Sequence, residues 1–137
     1  MTEGEPIDAR VLVVEDDRFN IRILTETCRS MGLTVRSVLD GLAALDAVVE
    51  EVPDLILLDV MLPGLDGYGV LERLRAQPKT RSVPVIMVTA LTAADARTRA
   101  LELGADDYVT KPFRLAELRT RIRSVLAMHA FRRGLKG

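Results

Sequence analysis

The chain of 137 residues contains one cysteine, no tryptophan and few aromatic residues, 4% in all. A single cysteine, Cys28, cannot form an internal disulfide, and a chain of this length can bury a stable core without one. No apolar run approaches the length of a membrane span. Residues 1–6 lack the basic and apolar regions of a signal peptide, so we expect a one-domain cytoplasmic protein with no membrane contact.

Neither sign of charge dominates the chain, whose net charge is −1, but the two signs are unevenly distributed. Residues 114–137 contain seven Lys or Arg and one acid, a net charge of +6, which leaves −7 for residues 1–113. The basic segment has three interpretations: a solvated helix face, a connector to an output module, or a nucleic-acid contact. No base-reading element or aromatic interleaving accompanies it, so we do not expect this domain alone to bind nucleic acid.

Four short apolar runs are each followed by polar residues that could take part in one reaction. Unbroken apolar runs of this length are typical of strands buried on both faces, as in a parallel sheet covered by helices. In such sheets ligands bind at the carboxyl ends of the strands. The runs and the polar residues after them are residues 11–14 with Glu15, Asp16 and Asp17, residues 55–58 with Asp59, residues 85–88 with Thr89, and residues 108–110 with Lys111.

Strand-like and helix-like patterns alternate five times along the chain. Asp66 is the expected N-cap of the third helix, and Gly32 and Gly104 are expected to end the first and fourth. Strict alternation of this kind predicts an α/β fold with a parallel sheet and right-handed crossovers. The predicted strands span residues 11–14, 34–38, 55–59, 83–89 and 107–110, and the predicted helices span residues 19–31, 41–49, 67–74, 93–103 and 115–129.

Asp59 is the centre of the predicted site, because a carboxylate at the end of a buried strand is costly unless it is solvated, paired or bound to a cation. Glu15 and Asp16 end another strand, and if the two strands are neighbours the three carboxylates repel one another. A hard divalent cation, Mg²⁺ or Mn²⁺, would relieve that repulsion. Asp17 is interpreted instead as a cap of the first helix.

Thr89 and Lys111 add groups suited to a phosphoryl group at the same edge. The ammonium of Lys111 supplies positive charge for phosphate oxygens, and the hydroxyl of Thr89 can donate a hydrogen bond to one of them. An aspartate is a competent nucleophile towards phosphoryl groups and forms an aspartyl phosphate. Together these residues predict a Mg²⁺-assisted phosphoryl site centred on Asp59.

These residues and their spacing resemble the response-regulator receiver domain of two-component signalling over residues 10–128. The resemblance is carried by four segments in order: VVEDD at 13–17, LLDVMLPGLDG at 57–67, PVIMVTA at 84–90 and GADDYVTKPF at 104–113. It implies a flavodoxin-like, doubly wound (αβ)5 domain whose five-stranded parallel sheet has the order 2-1-3-4-5. Residues 9–129 would form the receiver domain, between a flexible N-terminal tail of residues 1–8 and a basic C-terminal tail of residues 130–137.

The resemblance implies a metal site around the phosphoacceptor. Asp59 would accept the phosphoryl group and would also bind Mg²⁺ directly. Asp16 and the backbone carbonyl of Met61 would be the other direct ligands, and Glu15 would bind the ion through water.

The resemblance also implies roles in phosphoryl binding and switching for residues on or directly after the last two strands. Thr89 and Lys111 would hold the phosphoryl oxygens, and the Lys111–Pro112 peptide bond would be cis. Tyr108 would be a switch whose ring turns inward once Thr89 moves towards the phosphoryl group. The alternative for Tyr108 is a half-buried aromatic residue on the last strand with no functional role.

Two apolar positions imply a slow loss of the phosphoryl group. In this family the residues two after the phosphoacceptor and two after the threonine influence the attacking water. Here they are Met61 and Leu91, whose side chains cannot orient a water molecule by hydrogen bonding. We therefore expect slow self-dephosphorylation.

The resemblance implies a switch that catalyses only its own phosphorylation and slow dephosphorylation, and not an enzyme with a diffusible product. Its partners would be a sensor histidine kinase or a histidine phosphotransfer protein. Phosphorylation would act on the face of the last two helices and last strand, where a homodimer could form. One alternative, a phosphohydrolase of the haloacid-dehalogenase type, needs an aspartate where Met61 stands. Another is a regulatory fragment of a larger diguanylate cyclase or DNA-binding regulator.

Overall fold

A computed structural model describes residues 8–136 of the chain, and the side chains of residues 8–132. Five strands alternate with five helices, as the sequence pattern predicted. Within residues 8–136, no helix is long and apolar enough to cross a membrane. Of the predicted N-terminal tail, residues 1–7 lie outside the described residues. The elements are β1 (Arg10–Val14), α1 (Arg18–Ser30), β2 (Thr34–Val38), α2 (Gly41–Glu50), β3 (Leu55–Leu58), α3 (Gly67–Ala76), β4 (Val85–Thr89), α4 (Ala94–Glu102), β5 (Asp107–Thr110) and α5 (Leu115–Lys136).

The five strands form one parallel sheet in the order β2-β1-β3-β4-β5, which confirms the predicted order. β1 and β3 are neighbours, and Val14 at the end of β1 is in register with Leu58 at the end of β3. The backbone N–H of Asp59 donates to the carbonyl oxygen of Val14 at 3.1 Å. The residues that follow β1 and β3 therefore meet at one edge of the sheet.

The three inner strands β1, β3 and β4 are mainly apolar because helices cover both faces of the sheet, whereas the edge strands β2 and β5 contain several polar residues. Every residue of β3 and β4 is buried. Successive side chains of a strand point to opposite faces, so the strands contribute to two separate cores. One core includes Leu12 and Met87 together with residues of α2, α3 and α4. The other includes Val13 and Ile86 together with residues of α1 and α5.

Aspartates cap three helices that begin near the carboxyl edge of the sheet. Asp17, Asp40 and Asp66 each accept hydrogen bonds from backbone N–H groups in the first turn of α1, α2 and α3. The caps predicted at Asp17 and Asp66 are confirmed. Gly32 and Gly104 follow α1 and α4 with φ angles of 85° and 104°, in the left-handed region that favours glycine at a helix end.

Several element boundaries differ from the prediction by one or two residues. β4 begins at Val85 and not at Val83, because Pro84 has no N–H to donate to the strand ladder. β3 ends at Leu58, one residue before Asp59, so the aspartate lies just beyond the strand. These shifts leave every predicted strand in place.

The last helix is longer than predicted: α5 continues to Lys136 and does not end near His129. The prediction relied on apolar periodicity, which stops at Leu126. Among residues 127–132, the last whose side chains are described, none is buried, and Phe131 is 61% exposed. Alanine, arginine, leucine and lysine favour a helix even without packing, which accounts for the extra turns. Residues 130–136 are therefore helical, and their role as a connector stays a prediction.

Candidate functional site

Three carboxylates meet where β1 and β3 end. Glu15 and Asp16 follow β1, Asp59 follows β3, and one carboxylate oxygen of each residue lies within 4.8 Å of the other two. Glu15 is 1% and Asp59 6% exposed, whereas Asp16 is open to solvent. Oxygen donors in such a cluster suit a hard divalent cation.

Lys111, which follows β5, reaches two of these carboxylates. Its ammonium donates to Oε1 of Glu15 and, at 2.9 Å, to Oδ2 of Asp59. These partners lie 96 and 52 positions away along the chain, so only the folded sheet brings them together. A cation shared by two buried carboxylates offsets their mutual repulsion.

Backbone N–H groups hold the remaining oxygens of the two buried carboxylates. The N–H of Met61 donates to Oδ1 of Asp59 at 3.1 Å, and the N–H of Asp17 donates to Oε2 of Glu15 at 3.0 Å. The carboxylate of Asp17 itself turns towards the first turn of α1. Asp17 therefore supports the cluster through its backbone and does not contribute a carboxylate.

Burial and neighbouring charges shift the pKa values of Glu15 and Lys111. Burial raises the pKa of Glu15, while the hydrogen bonds from Lys111 and from the Asp17 N–H oppose that rise. Burial alone would lower the pKa of Lys111, but its hydrogen bonds to Glu15 and Asp59 and the attraction of both carboxylates outweigh it and raise the pKa. Lys111 therefore stays an ammonium ion at neutral pH.

Thr89 and Lys111 lie next to each other at the ends of β4 and β5. Thr89 is fully buried, and its carbonyl oxygen accepts a hydrogen bond from the backbone N–H of Lys111 at 2.8 Å. The Lys111–Pro112 peptide bond is cis. Because β4 is also the neighbour of β3, Thr89 stands between the strands that carry Asp59 and Lys111.

Tyr108 is more deeply buried than the half-buried alternative assumed. Its side chain is 3% exposed, and its hydroxyl donates to the carbonyl oxygen of Leu91 at 2.8 Å. The guanidinium of Arg97 lies 5.9 Å from the ring centroid. The alternative expected a half-buried ring, and this was wrong. β5 is an edge strand of the sheet, but α4 covers it and buries the ring. Burial also raises the pKa of the Tyr108 phenol, which keeps the hydroxyl a donor.

Met61 and Leu91, the two apolar residues predicted to slow dephosphorylation, differ in their exposure to solvent. Met61 follows Asp59 by two residues and its side chain is 58% exposed. Leu91 follows Thr89 by two residues and packs partly against the core. The backbone N–H of Leu91 lies 3.5 Å from the hydroxyl oxygen of Thr89, so the loop after β4 links Thr89 to the Leu91 carbonyl that Tyr108 holds.

Sequence reasoning missed two residues near the site. Tyr68, in the first turn of α3, donates from its hydroxyl to the carbonyl oxygen of Ala96 at 3.2 Å. Gly67, just before it, is so close to the strand end that an added Cβ would lie 2.3 Å from the carbonyl oxygen of Asp59. For Tyr68 the only signal in the sequence is that it is one of two tyrosines. For Gly67 the signal is its position in the loop after Asp59.

Comparisons with known proteins place this arrangement in a family. The family model described as the response regulator receiver domain matches residues 11–123. The chain is 50% identical over 118 residues to a probable transcriptional regulator ycf27 of Guillardia theta, covering 85% of this chain and 45% of that protein. It is 41% identical over 119 residues to the response regulator PleD of Caulobacter vibrioides, covering 87% of this chain and 26% of that protein. The chain thus spans less than half the length of these two relatives.

A solved structure with the same fold supports the comparison. It is the receiver domain of the sensor histidine kinase PA1611 from Pseudomonas aeruginosa PAO1, described with a magnesium ion coordinated in its active-site cleft. The TM-score is 0.81 at 36% identity, over 88% of this chain and 99% of that chain.

Proposed function

Because the chain belongs to the response-regulator receiver domain family, we propose that it accepts a phosphoryl group onto Asp59 from a histidine kinase or a histidine phosphotransfer protein. The observation that carries this proposal is the convergence of the carboxylates of Glu15, Asp16 and Asp59 with the ammonium of Lys111 at the carboxyl edge of the sheet. The site then combines a nucleophile, oxygen ligands for a metal ion, and an ammonium group that can bind phosphate oxygens.

The carboxylate cluster fits the magnesium or manganese ion that the family implies, because its donors are all oxygens and one of them is open to solvent. Asp16, Asp59 and the Met61 carbonyl would hold the ion directly, and Glu15 would hold it through water. When bound, the ion supplies positive charge for the phosphoryl oxygens.

The protein's own residues would carry the transfer. An oxygen of the Asp59 carboxylate attacks phosphorus and forms an O–P bond while the P–N bond of the donor phosphohistidine breaks, and the electron pair returns to the imidazole nitrogen. Lys111, which stays cationic, would exchange its contact with Asp59 for one with a phosphoryl oxygen. The hydroxyl of Thr89 would donate to another.

We propose that the signal leaves the site through the loop after β4. Movement of Thr89 towards the phosphoryl group would shift Leu91, whose carbonyl oxygen accepts the hydrogen bond of Tyr108. That shift would change the face made by α4, β5 and α5, where a partner, an output domain or a second copy would bind. The relatives that extend beyond the matched region support an output domain in a longer regulator. A haloacid-dehalogenase-type activity is not supported, because position 61 is methionine.

The proposal is tested by the intact mass of the protein after incubation with acetyl phosphate, with Mg²⁺ and with a chelator. One added phosphoryl group is expected with Mg²⁺ and none with the chelator. The Asp59 carboxylate and the phosphoryl donor are both negatively charged, so a metal cation is needed to offset their repulsion. An unchanged mass in Mg²⁺ with acetyl phosphate and with a phosphohistidine protein, on protein shown to be folded, would contradict it.

The lifetime of the phosphorylated form is expected to be long and to shorten when polar side chains replace Met61 and Leu91. Met61→Asn and Leu91→Glu introduce groups that can orient an attacking water, and together they should speed loss of the phosphoryl group about tenfold or more. The decay is followed by intact mass after the donor is removed. Met61→Leu, which stays apolar, is the control, and equal decay in all three proteins would rule out this role.

A further inference from the structure

Helix α4 is held to the domain by little apolar packing. Ala100 is its only buried residue. Its N-cap, Ala93, makes no side-chain hydrogen bond to the first turn. A helix with one small buried side chain gains little from burial, so its polar contacts decide where it sits.

Two tyrosine hydroxyls make those contacts from different elements. Tyr108 on β5 donates to the carbonyl oxygen of Leu91, before α4, at 2.8 Å. Tyr68 on α3 donates to the carbonyl oxygen of Ala96, within the first turns of α4, at 3.2 Å. Both rings are buried, so each phenol needs a partner in the protein.

An arginine of α4 covers each ring, and the contact is closer at Tyr68. The guanidinium of Arg99 lies 4.1 Å from the centroid of the Tyr68 ring, against 5.9 Å for Arg97 over Tyr108. A guanidinium on an aromatic face is attracted to the ring, most strongly at short range. Tyr68 therefore holds α4 at two points, the Ala96 carbonyl and the Arg99 side chain.

Tyr68 is also tied to the backbone of the proposed phosphoacceptor. It follows Gly67, whose N–H donates to the carbonyl oxygen of Val60 at 2.8 Å. An ideal Cβ on Gly67 would lie 2.3 Å from the carbonyl oxygen of Asp59 and 2.7 Å from Cα of Val60. The start of α3 thus rests on the backbone of residues 59–60, and a shift of that backbone must move Tyr68.

We propose that Tyr68 is a positioning residue for α4, which transmits the state of the Asp59 backbone to that helix through α3. This route starts at the backbone of Asp59 and passes through α3, whereas the other passes through Thr89, Leu91 and Tyr108, and it rests on the proposed phosphorylation of Asp59. The two routes hold α4 and its preceding loop at different points, so phosphorylation reaches the helix from both.

The test compares amide hydrogen exchange in residues 94–102 before and after phosphorylation in wild-type protein, Tyr68→Phe, Tyr108→Phe and the double variant. Tyr68→Phe removes one hydroxyl and keeps the ring. In the unphosphorylated protein it should speed exchange in α4 about three- to tenfold, as expected for one lost hydrogen bond. It should also remove part of the difference that phosphorylation makes there, because the contact of Tyr108 with Leu91 remains.

Intact mass in the same samples separates this proposal from the proposed function. An adduct on Asp59 in Tyr68→Phe, with a smaller phosphorylation-dependent difference in α4 than in the wild-type protein, supports Tyr68 as a positioning residue. A difference of wild-type size in Tyr68→Phe, equal acceleration of exchange in both states, or no difference in the wild-type protein overturns it. Missing adducts in every protein would instead contradict the proposed function.

A second variant keeps the test decisive if Tyr68→Phe does not fold. Arg99→Gln removes the cation over the Tyr68 ring from the solvent side, and Arg73→Gln removes a charge from the exposed surface of α3. Arg99→Gln should reduce the phosphorylation-dependent difference in residues 94–102, and Arg73→Gln should leave it unchanged. Equal results for the two variants would overturn the proposal.

Discussion

The variant Asp59→Asn is expected to take up no phosphoryl group under conditions that fully label the wild-type protein. The amide of asparagine carries no negative charge and is a poor nucleophile towards phosphorus, so no O–P bond forms. Lys111 loses its contact with a carboxylate at 2.9 Å but keeps its hydrogen bond to Glu15. We therefore expect the variant to fold, with intact mass after acetyl phosphate and Mg²⁺ as the measurement.

The matched control for that result is Asp17→Asn, in the same acidic segment. The carboxylate of Asp17 caps α1 and lies outside the cluster, and asparagine is an equally good N-cap. The backbone N–H that Asp17 donates to Glu15 is unchanged by the substitution. This variant should accept one phosphoryl group as the wild type does. Labelling of Asp59→Asn, or loss of labelling in Asp17→Asn, would show that the acceptor has been misassigned.

Gly67→Ala is expected to lower the free energy of unfolding by about 3 kcal/mol or more, a large fraction of the stability of a domain this size. The added methyl group would meet the carbonyl oxygen of Asp59 at 2.3 Å and Cα of Val60 at 2.7 Å. Both are backbone atoms next to the proposed phosphoacceptor and cannot rotate away. Because the loop has to shift, phosphoryl uptake should also fall. Urea unfolding and the rate of adduct formation measure the two effects.

Gly69→Ala, two residues further along α3, is the matched control. Its added methyl group would meet Cδ1 of Leu65 at 2.5 Å, the far end of a flexible and partly exposed side chain. Alanine also favours a helix over glycine by about 1 kcal/mol. Gly69→Ala should therefore leave stability unchanged or raise it slightly. Similar losses in both variants would mean that any side chain in this turn is harmful and that the contact with Asp59 is not the cause.

The order and type of the elements could be predicted because they depend on local patterns. The buried runs of β3 and β4 are apolar without interruption, since both faces are covered. A predicted boundary was wrong where one residue changes the hydrogen bonding, as Pro84 does at the start of β4. A second difference arose where a helix continues past its last apolar periodicity, as α5 does beyond Leu126.

Most residues of the candidate site could be predicted for a related reason. Parallel strands place their carboxyl ends at one edge, so polar residues that follow apolar runs must gather there. This rule predicts the positions of Glu15, Asp16, Asp59 and Lys111 from the sequence. The resemblance to a known family added the strand order that makes β1 and β3 neighbours.

The sequence by itself therefore determined the α/β class, the alternation of strands and helices, and the edge at which the polar residues gather. Only the tertiary structure decided that Lys111 bonds both Glu15 and Asp59, that Tyr108 is buried beneath α4, and that Tyr68 reaches Ala96. The physical reason is the range of the interactions. Helical hydrogen bonding and apolar periodicity act over a few residues, whereas these contacts join residues between 17 and 96 positions apart.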